Sequence, residues 1–132
     1  MDLKDFAPKS DEVEVVVKHP VNGEPLTNKD GSDMVIVLHA PHSKAYKEAM
    51  YEQTNKRLKA AQGSGNTDIT AQDLEEASLE LLSKVTKSWK ITYDDKQPKL
   101  TVAKAKAIYD ELFWLKPQIE EALSNTEVFT KA

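Results

Sequence analysis

The segment of residues 12–18 constrains the fold most, because β-branched and charged side chains alternate along most of its length. Alternation with a period of two predicts a half-buried strand that points Val13, Val15 and Val17 towards the core. An apolar run at residues 34–39 predicts a second strand. Turns rich in Pro, Gly and Asn separate the two runs. We therefore expect an N-terminal antiparallel β-hairpin with a long connection.

The rest of the chain carries the three- and four-residue spacing of amphipathic helices. We predict helices at 43–62, 71–89, 102–115 and 117–124. Ser43, Thr70 and Thr101 are favourable N-caps, because their hydroxyl oxygens can accept from the unbonded N–H groups of a first turn. The predicted fold class is α+β and predominantly α-helical, with the hairpin followed by four or five helices.

The length of 132 residues fits one domain of ordinary size. Residues 1–10 mix charge, proline and serine, so we expect a flexible N-terminus. Residues 11–132 are expected to form a single domain, with a hairpin part at 11–40 and a helical part at 42–125. A Gly- and Ser-containing joint at 63–66 interrupts the helical part.

Charge and composition argue against several classes of partner. The formal net charge is −4, and Lys and Arg are scattered among acids, so we expect no nucleic-acid binding. The longest apolar run has five residues, against roughly 20 needed to span a bilayer, so we expect no membrane insertion. The chain has no cysteine, and its N-terminus lacks the pattern of a signal peptide. A cytoplasmic protein is expected.

The sequence offers little catalytic or metal-binding chemistry. His19, His39 and His42 could meet in space, but Pro41 prevents the helical presentation of paired zinc ligands, so we expect no metal. The loop at 28–33 has closely spaced oxygen ligands but lacks the distal glutamate of a calcium loop, which favours ordinary turn chemistry. The usual constellations of catalytic residues are missing, so we expect no enzymatic activity and no cofactor.

The segment of residues 101–123 carries the most informative pattern. On a helical wheel that continues through Pro117, one narrow apolar stripe contains Ala105, Ile108, Leu112, Leu115, Ile119 and Leu123. Phe113 and Trp114 fall on the opposite half of the same wheel. Either another element of the domain buries these two aromatic side chains, or they form a surface for a partner.

Two sets of residues follow from these patterns. The expected core between the last helices consists of Leu81, Val85, Ile108, Leu112 and Ile119. The expected partner-binding residues are Phe113 and Trp114, followed by Tyr46 and Met50 on the helix predicted at 43–62. The apolar stripe of that helix is thin and is interrupted by polar residues, so the helix is largely exposed or needs a partner.

Several segments, taken in order, carry a likeness to a known family. Residues 18–26 combine a strand end, a proline and a Gly-Glu-Pro turn, and residues 34–46 lead from a strand through a serine into a helix with a tyrosine. Trp89, residues 112–119 and Phe129 complete the pattern with tryptophans and a Pro-Gln-Ile segment. In order, length and spacing, the chain resembles the tail assembly chaperones of long-tailed, siphovirus-type bacteriophages.

The resemblance implies a mostly helical, non-enzymatic protein that binds the tape measure protein. Such a chaperone keeps its client soluble while the tail tube polymerises around it, in the host cytoplasm, and is absent from the mature virion. It also implies contact with the tail tube protein through a frameshifted, extended form, and leaves self-association open. Two alternatives remain: a structural tail-completion or neck protein, and a phage-encoded adaptor whose hairpin edge pairs with a host protein.

Overall fold

The computed structural model describes residues 2–64 and 69–125. Its strands and α-helices are β1 (Glu12–Val16), β2 (Val35–His39), α1 (Lys44–Ser64), α2 (Ala71–Val85), β3 (Thr86–Lys90), α3 (Val102–Glu111) and α4 (Leu115–Ser124). The strands form one antiparallel sheet in the order β1-β2-β3. The fold is α+β, as the sequence predicts.

The predicted hairpin is present, and its register explains the valine pattern. Val13 pairs with Leu38 and Val15 pairs with Ile36 across β1 and β2. These four side chains and Val17 are buried, while the residues between the three valines are exposed or half-buried. One face of the sheet therefore contributes to the core and the other faces outwards.

The helix predicted at 71–89 is wrong in its C-terminal part. α2 ends at Val85, and the chain continues directly as β3, Thr86–Lys90. This third strand pairs antiparallel with β2, so the two-stranded hairpin of the prediction becomes a three-stranded sheet. Trp89 consequently lies on a strand and not at the end of an amphipathic helix.

A β-bulge in β3 accounts for this error. Val37 pairs with Ser88 and Leu38 pairs with Thr86, so Lys87 is an extra residue on the strand. The bulge places the inward-facing Thr86 and Trp89 three residues apart. That spacing is typical of a helix, and it hides the period of two that would have indicated a strand.

A break separates the last two helices, although the helical wheel treats them as continuous. The helix predicted at 102–115 ends at Glu111, because Leu112 leaves the helical region with ψ 79°. In a continuous helix the ring of Pro117 would clash with the carbonyl group four residues earlier. α4 instead begins at Leu115 and places Pro117 in its first turn, where the missing N–H has no helical acceptor to lose.

The predicted N-caps are confirmed at all three positions. The Ser43, Thr70 and Thr101 hydroxyl oxygens each accept a hydrogen bond from the backbone N–H three residues later, at 3.1–3.2 Å. At Thr70 the bond is reciprocal, because the Asp73 carboxylate accepts from the Thr70 N–H at 3.1 Å. This capping box begins α2 where the sequence places it.

The core lies between the inner face of the sheet and helices α2, α3 and α4. Val85, Ile108 and Ile119 of the predicted core are buried. Leu81 and Leu112 are only half-buried and pack against the margin of the core. The stripe that placed Leu112 in the centre assumed an unbroken helix, and the break at this residue moves it to the edge.

The loop before β2 is a turn, as predicted. The Asn28 amide nitrogen donates to the backbone carbonyl groups of Asp33 and Lys90 at 3.2 Å, and its oxygen accepts from the Thr92 hydroxyl at 2.8 Å. Gly31 has φ +86°, a conformation that favours glycine. A buried asparagine thus connects this turn to the end of β3.

Candidate protein-binding surface on the first helix

Helix α1 buries little of its surface within the domain. It contains 21 residues, which corresponds to about 30 Å of helix. None of its described side chains is fully buried, and the half-buried ones are Tyr46, Ala49, Gln53 and Ala61. A helix of this length normally derives its stability from an apolar face packed against other elements. Most of the surface of α1 therefore lies open to a partner.

The main contacts of α1 within the described part of the domain are with α2, and two of them are polar. The Gln53 amide donates to the Ala77 carbonyl oxygen at 2.7 Å, and Glu52 lies 3.7 Å from Lys84. Tyr46 adds an apolar contact beside Leu81. Since earlier residues of α1 meet later residues of α2, the two helices run antiparallel.

The side of α1 that points away from these contacts carries three large apolar residues. Met50, Tyr51 and Leu58 are 39%, 57% and 57% exposed. At about 100° per residue, these three positions fall within roughly 100° of arc. Lys47 and Arg57 lie within or beside the same arc, which totals about 120°. We refer to these five residues as the α1 outer face.

The charges around the α1 outer face are unevenly distributed. α1 carries five basic and two acidic side chains, although the whole chain has a net charge of −4. Both acidic residues lie outside the arc and contact a lysine: Glu48 is 3.8 Å from Lys44, and Glu52 is 3.7 Å from Lys84. The α1 outer face thus combines apolar and basic groups without an acid.

Arg57 lies at the edge of this face that is nearest to α2. Hydrogen bonds with Thr70 hold the pKa of Asp73 below its ordinary value, and the positive charge of Arg57 lowers it further. Lys47 has no acidic partner within 4.0 Å among the described residues. Lys47 is therefore the cation that this face can offer most readily to a partner.

The four predicted partner-binding residues do not form one surface. Tyr46 and Met50 lie on α1, and Tyr46 lines one pocket with Leu123 and Ser124 at the C-terminal end of α4. Phe113 and Trp114 precede the N-terminal end of α4. Since α4 has ten residues, about 15 Å of helix separates the two pairs.

Phe113 and Trp114 also differ from each other. Phe113 is 81% exposed, but Trp114 is half-buried and packs against the core. The wheel places both on a surface because it assumes a continuous helix; at the corner between α3 and α4 the two side chains diverge. The domain itself buries part of Trp114, and Phe113 remains a large apolar side chain in solvent.

Sequence reasoning missed Tyr51, which is absent from the thin stripe described for this helix. Tyr51 lies on the same side as Leu58, seven residues later, and this spacing of two turns was available in the sequence. The predicted stripe contains Tyr46, Ala49, Met50, Leu58 and Ala61. The signal was hidden because the centre of this stripe lies about 110° from Tyr51 around the helix. The exposed stripe of Met50, Tyr51 and Leu58 lies beside the half-buried residues Tyr46 and Ala49.

The outer edge of β1 is a second surface with unused backbone groups. Odd-numbered residues bond to β2 and its neighbours, so even-numbered residues direct their N–H and C=O groups outwards. The Ser10 hydroxyl bonds both groups of Glu12, and the Gln118 amide bonds both groups of Lys18. Among the described residues, only Glu14 and Val16 of this strand keep outward groups without a partner.

The titratable residues of the described ranges do not converge on a reactive centre. No group of three His, Asp or Glu side chains within these ranges could hold a metal ion. The His19 ring accepts from the Val21 N–H at 3.1 Å, and the His42 ring lies 2.8 Å from the Ser10 carbonyl oxygen. The three histidines are thus not gathered into one cluster.

Comparison of the chain with protein-family models, curated proteins and solved structures gives no match. None of the helices in the described ranges is long and apolar enough to cross a membrane. Half of the joint at 63–66 and the segment with Phe129 lie outside those ranges. The geometry of α1 and of the corner at Phe113 therefore carries the functional argument.

Proposed function

We propose that the chain is a tail assembly chaperone of the kind found in long-tailed bacteriophages. In this role it binds the tape measure protein and keeps it soluble while the tail tube polymerises around it. The observation that carries the proposal is the exposure of Met50, Tyr51 and Leu58 on one side of α1. Apolar side chains grouped on a charged surface are typical of sites that bind another protein.

The charged composition of the chain supports this role. Charged residues make up 30% of the sequence, and large apolar side chains stand among them on α1 and at Phe113. A chaperone that keeps an aggregation-prone client in solution needs both features, since the anchors bind the client and the charges keep the complex hydrated. The proposed site of action is the host cytoplasm, with release before the virion is complete.

Of the two alternatives, the adaptor that pairs through the hairpin edge has the weaker support. Strand addition requires a run of free backbone groups along an edge. Ser10 and Gln118 occupy the outward groups of Glu12 and Lys18, which leaves only the stretch around Glu14 and Val16 without a partner among the described residues. A structural tail-completion protein would use the same apolar surfaces but would remain in purified particles.

Co-expression with the tape measure protein of the same phage tests the proposal. The parent chain is expected to move the tape measure protein from the pellet to the soluble fraction, and to be absent from purified virions. Trp114→Ala and Phe113→Ala separate the core from the surface. Phe113→Ala should keep the parent thermal midpoint, and a loss of client solubility would identify the corner as part of the site.

For Trp114→Ala we expect a lower thermal midpoint, since this ring packs against the core. A tape measure protein that stays insoluble beside the parent chain contradicts the chaperone role. Recovery of the chain as a stoichiometric component of mature particles favours the tail-completion alternative. Either result can be obtained without knowledge of the contact surface.

A further inference from the structure

We propose that the α1 outer face docks an acidic, amphipathic helix of the client. The identification of that client as the tape measure protein rests on the proposed function, whereas the docking chemistry rests on α1 alone. Three features of α1 support this docking: the spacing of its apolar residues, the sign of its charges and its orientation on α2.

The apolar residues of this face fit a helix. Met50 and Leu58 are eight residues apart, or about 12 Å along the axis, which is the length of two helical turns in a partner. Tyr51 widens the stripe on one side. α2 packs beside Met50, through Gln53 and Tyr46. Tyr51 and Leu58 lie at least about 120° from both of these residues around the helix, so a partner helix can approach from their side without displacing any element of the domain.

The charge of the face selects an acidic partner. Lys47 and Arg57 border the apolar stripe, and no acidic residue of α1 falls within the same arc. A helix with glutamates beside its own apolar stripe would place opposite charges together at the rim of the contact. Such rim charges affect the association rate and the choice of partner more than the final affinity. The binding is therefore expected to weaken as salt rises.

A basic amphipathic helix can also favour an anionic lipid surface or nucleic acid, but α1 is a poor match for both. Helices that insert into a lipid surface need a strongly apolar side with aromatic anchors such as Trp or Phe. α1 contains no Trp and no Phe. Outside α1 the chain is acidic, so it lacks the extended basic patch of a nucleic-acid-binding protein.

The test uses the full-length protein and two labelled 20-residue amphipathic helical peptides, measured by fluorescence anisotropy. The acidic peptide carries leucines on one face and glutamates beside them; the reversed peptide carries lysines in place of the glutamates. We expect the acidic peptide to bind at least about tenfold more tightly at low salt, and the difference to shrink at 0.5 M salt.

Single substitutions locate the contact. Leu58→Ala removes an apolar anchor and is expected to weaken binding of the acidic peptide by about tenfold, with Met50→Ala as a second such variant. Lys47→Glu is expected to weaken it by about tenfold. Lys59→Glu is the matched control: it makes the same charge change outside the arc, about 120° from Lys47 around α1, and should alter binding by less than about twofold.

Several outcomes would overturn the proposal. These are equal binding of the two peptides, equal effects of Lys47→Glu and Lys59→Glu, and unchanged binding by both Leu58→Ala and Met50→Ala. Tighter binding to vesicles with 30% phosphatidylserine, or to a 20-base-pair DNA duplex, would assign α1 to those ligands instead. All four positions are exposed, so each variant should keep the parent thermal midpoint and remain informative.

The inference and the proposed function can fail separately. If the acidic peptide binds and the tape measure protein stays insoluble in co-expression, helix docking stands and the chaperone role is rejected. If the tape measure protein becomes soluble but Lys47→Glu and Leu58→Ala leave its solubility unchanged, the chaperone role stands and the client binds elsewhere. The exposed Phe113 would then be the next surface to test.

Discussion

The hydroxyl groups of Thr86 and Tyr109 lie 2.7 Å apart inside the core, and they join the first residue of β3 to α3. Thr86 donates its single hydroxyl proton to the Leu82 carbonyl oxygen at 2.8 Å. Tyr109 must therefore be the donor in the bond between the two hydroxyl groups. The point where α2 becomes β3 is thus tied to a helix that lies later in the chain.

Tyr109→Phe is expected to destabilise the domain by about 1 kcal/mol, the usual net value of one intramolecular hydrogen bond. The phenyl ring should keep its edge-to-face packing on Trp89, whose ring centre lies 6.4 Å away. Urea denaturation of this variant, of Thr86→Val and of the double variant gives the coupling energy directly.

Tyr51→Phe provides the control, since this exposed tyrosine loses a hydroxyl group that contacts water. Its free energy of unfolding should stay within about 0.3 kcal/mol of the parent. A coupling energy of zero between Thr86 and Tyr109 would show that their bond does not stabilise the native state.

Ile119→Ala and Phe113→Ala compare two apolar residues on the same short stretch of chain. Ile119 is fully buried and Phe113 is 81% exposed. The first substitution should cost about 2–5 kcal/mol, since it leaves a cavity in the core. The second should change the free energy of unfolding by less than about 0.5 kcal/mol. Similar losses of stability in the two variants would show that α4 does not pack against the core through Ile119.

The ion pair between Asp30 and Lys90, whose charged atoms lie 2.7 Å apart, should make the stability of the domain depend on pH in the acidic range. Bonds from Lys90 and then from Ser32 hold the pKa of Asp30 well below its ordinary value of 3.8. A depressed pKa in the folded state means that this stabilisation is present above pH 3.8 and is lost as the pH falls through the folded pKa.

Asp30→Asn should therefore lose less stability than the parent between about pH 5 and pH 2, in urea denaturation at constant ionic strength. Lys90→Met, which removes the other partner, should flatten the pH dependence in the same direction. Parallel curves for the parent and both variants would show that the pair does not contribute to the free energy of unfolding.

Gln118→Ala tests the protection of the β1 edge. The Gln118 amide accepts from the Lys18 N–H at 2.9 Å and donates to the Lys18 carbonyl oxygen at 3.0 Å. Loss of this amide should lower the free energy of unfolding by about 1 kcal/mol. It should also lengthen the exposed edge of β1, which favours pairing between the β1 strands of two molecules. Sedimentation velocity should then show an average mass that rises with concentration more steeply than for the parent. Gln72→Ala, on exposed α2 surface, should show no such change.

The sequence was most informative where local chemistry decides the structure. The alternation of Val13, Val15 and Val17 predicted a strand, and the hydroxyl groups of Thr70 and Thr101 marked helix starts that the structure confirms. Each of these features depends on residues within one or two turns of each other. Such signals survive without knowledge of the tertiary contacts.

The sequence misled where a tertiary contact changes the local period. Pairing with β2 introduces the bulge at Lys87 and gives β3 the spacing of a helix. The same limit applies to the candidate surface. The pattern showed that α1 is weakly apolar. It did not show which side of α1 faces α2, and this contact distinguishes the half-buried Tyr46 from the exposed Tyr51 and Leu58.

The direct passage from Val85 to Thr86 fixes the chain length at that point more strictly than at any other junction between consecutive named elements. One inserted residue would either turn α2 by about 100°, swinging Leu79 and Leu82 away from their neighbours, or shift β3 so that its inward and outward side chains exchange faces. Neither change can be absorbed by a loop, because there is none. Insertional scanning should therefore find this junction intolerant, and the exposed turn at Asn22 and Gly23 permissive.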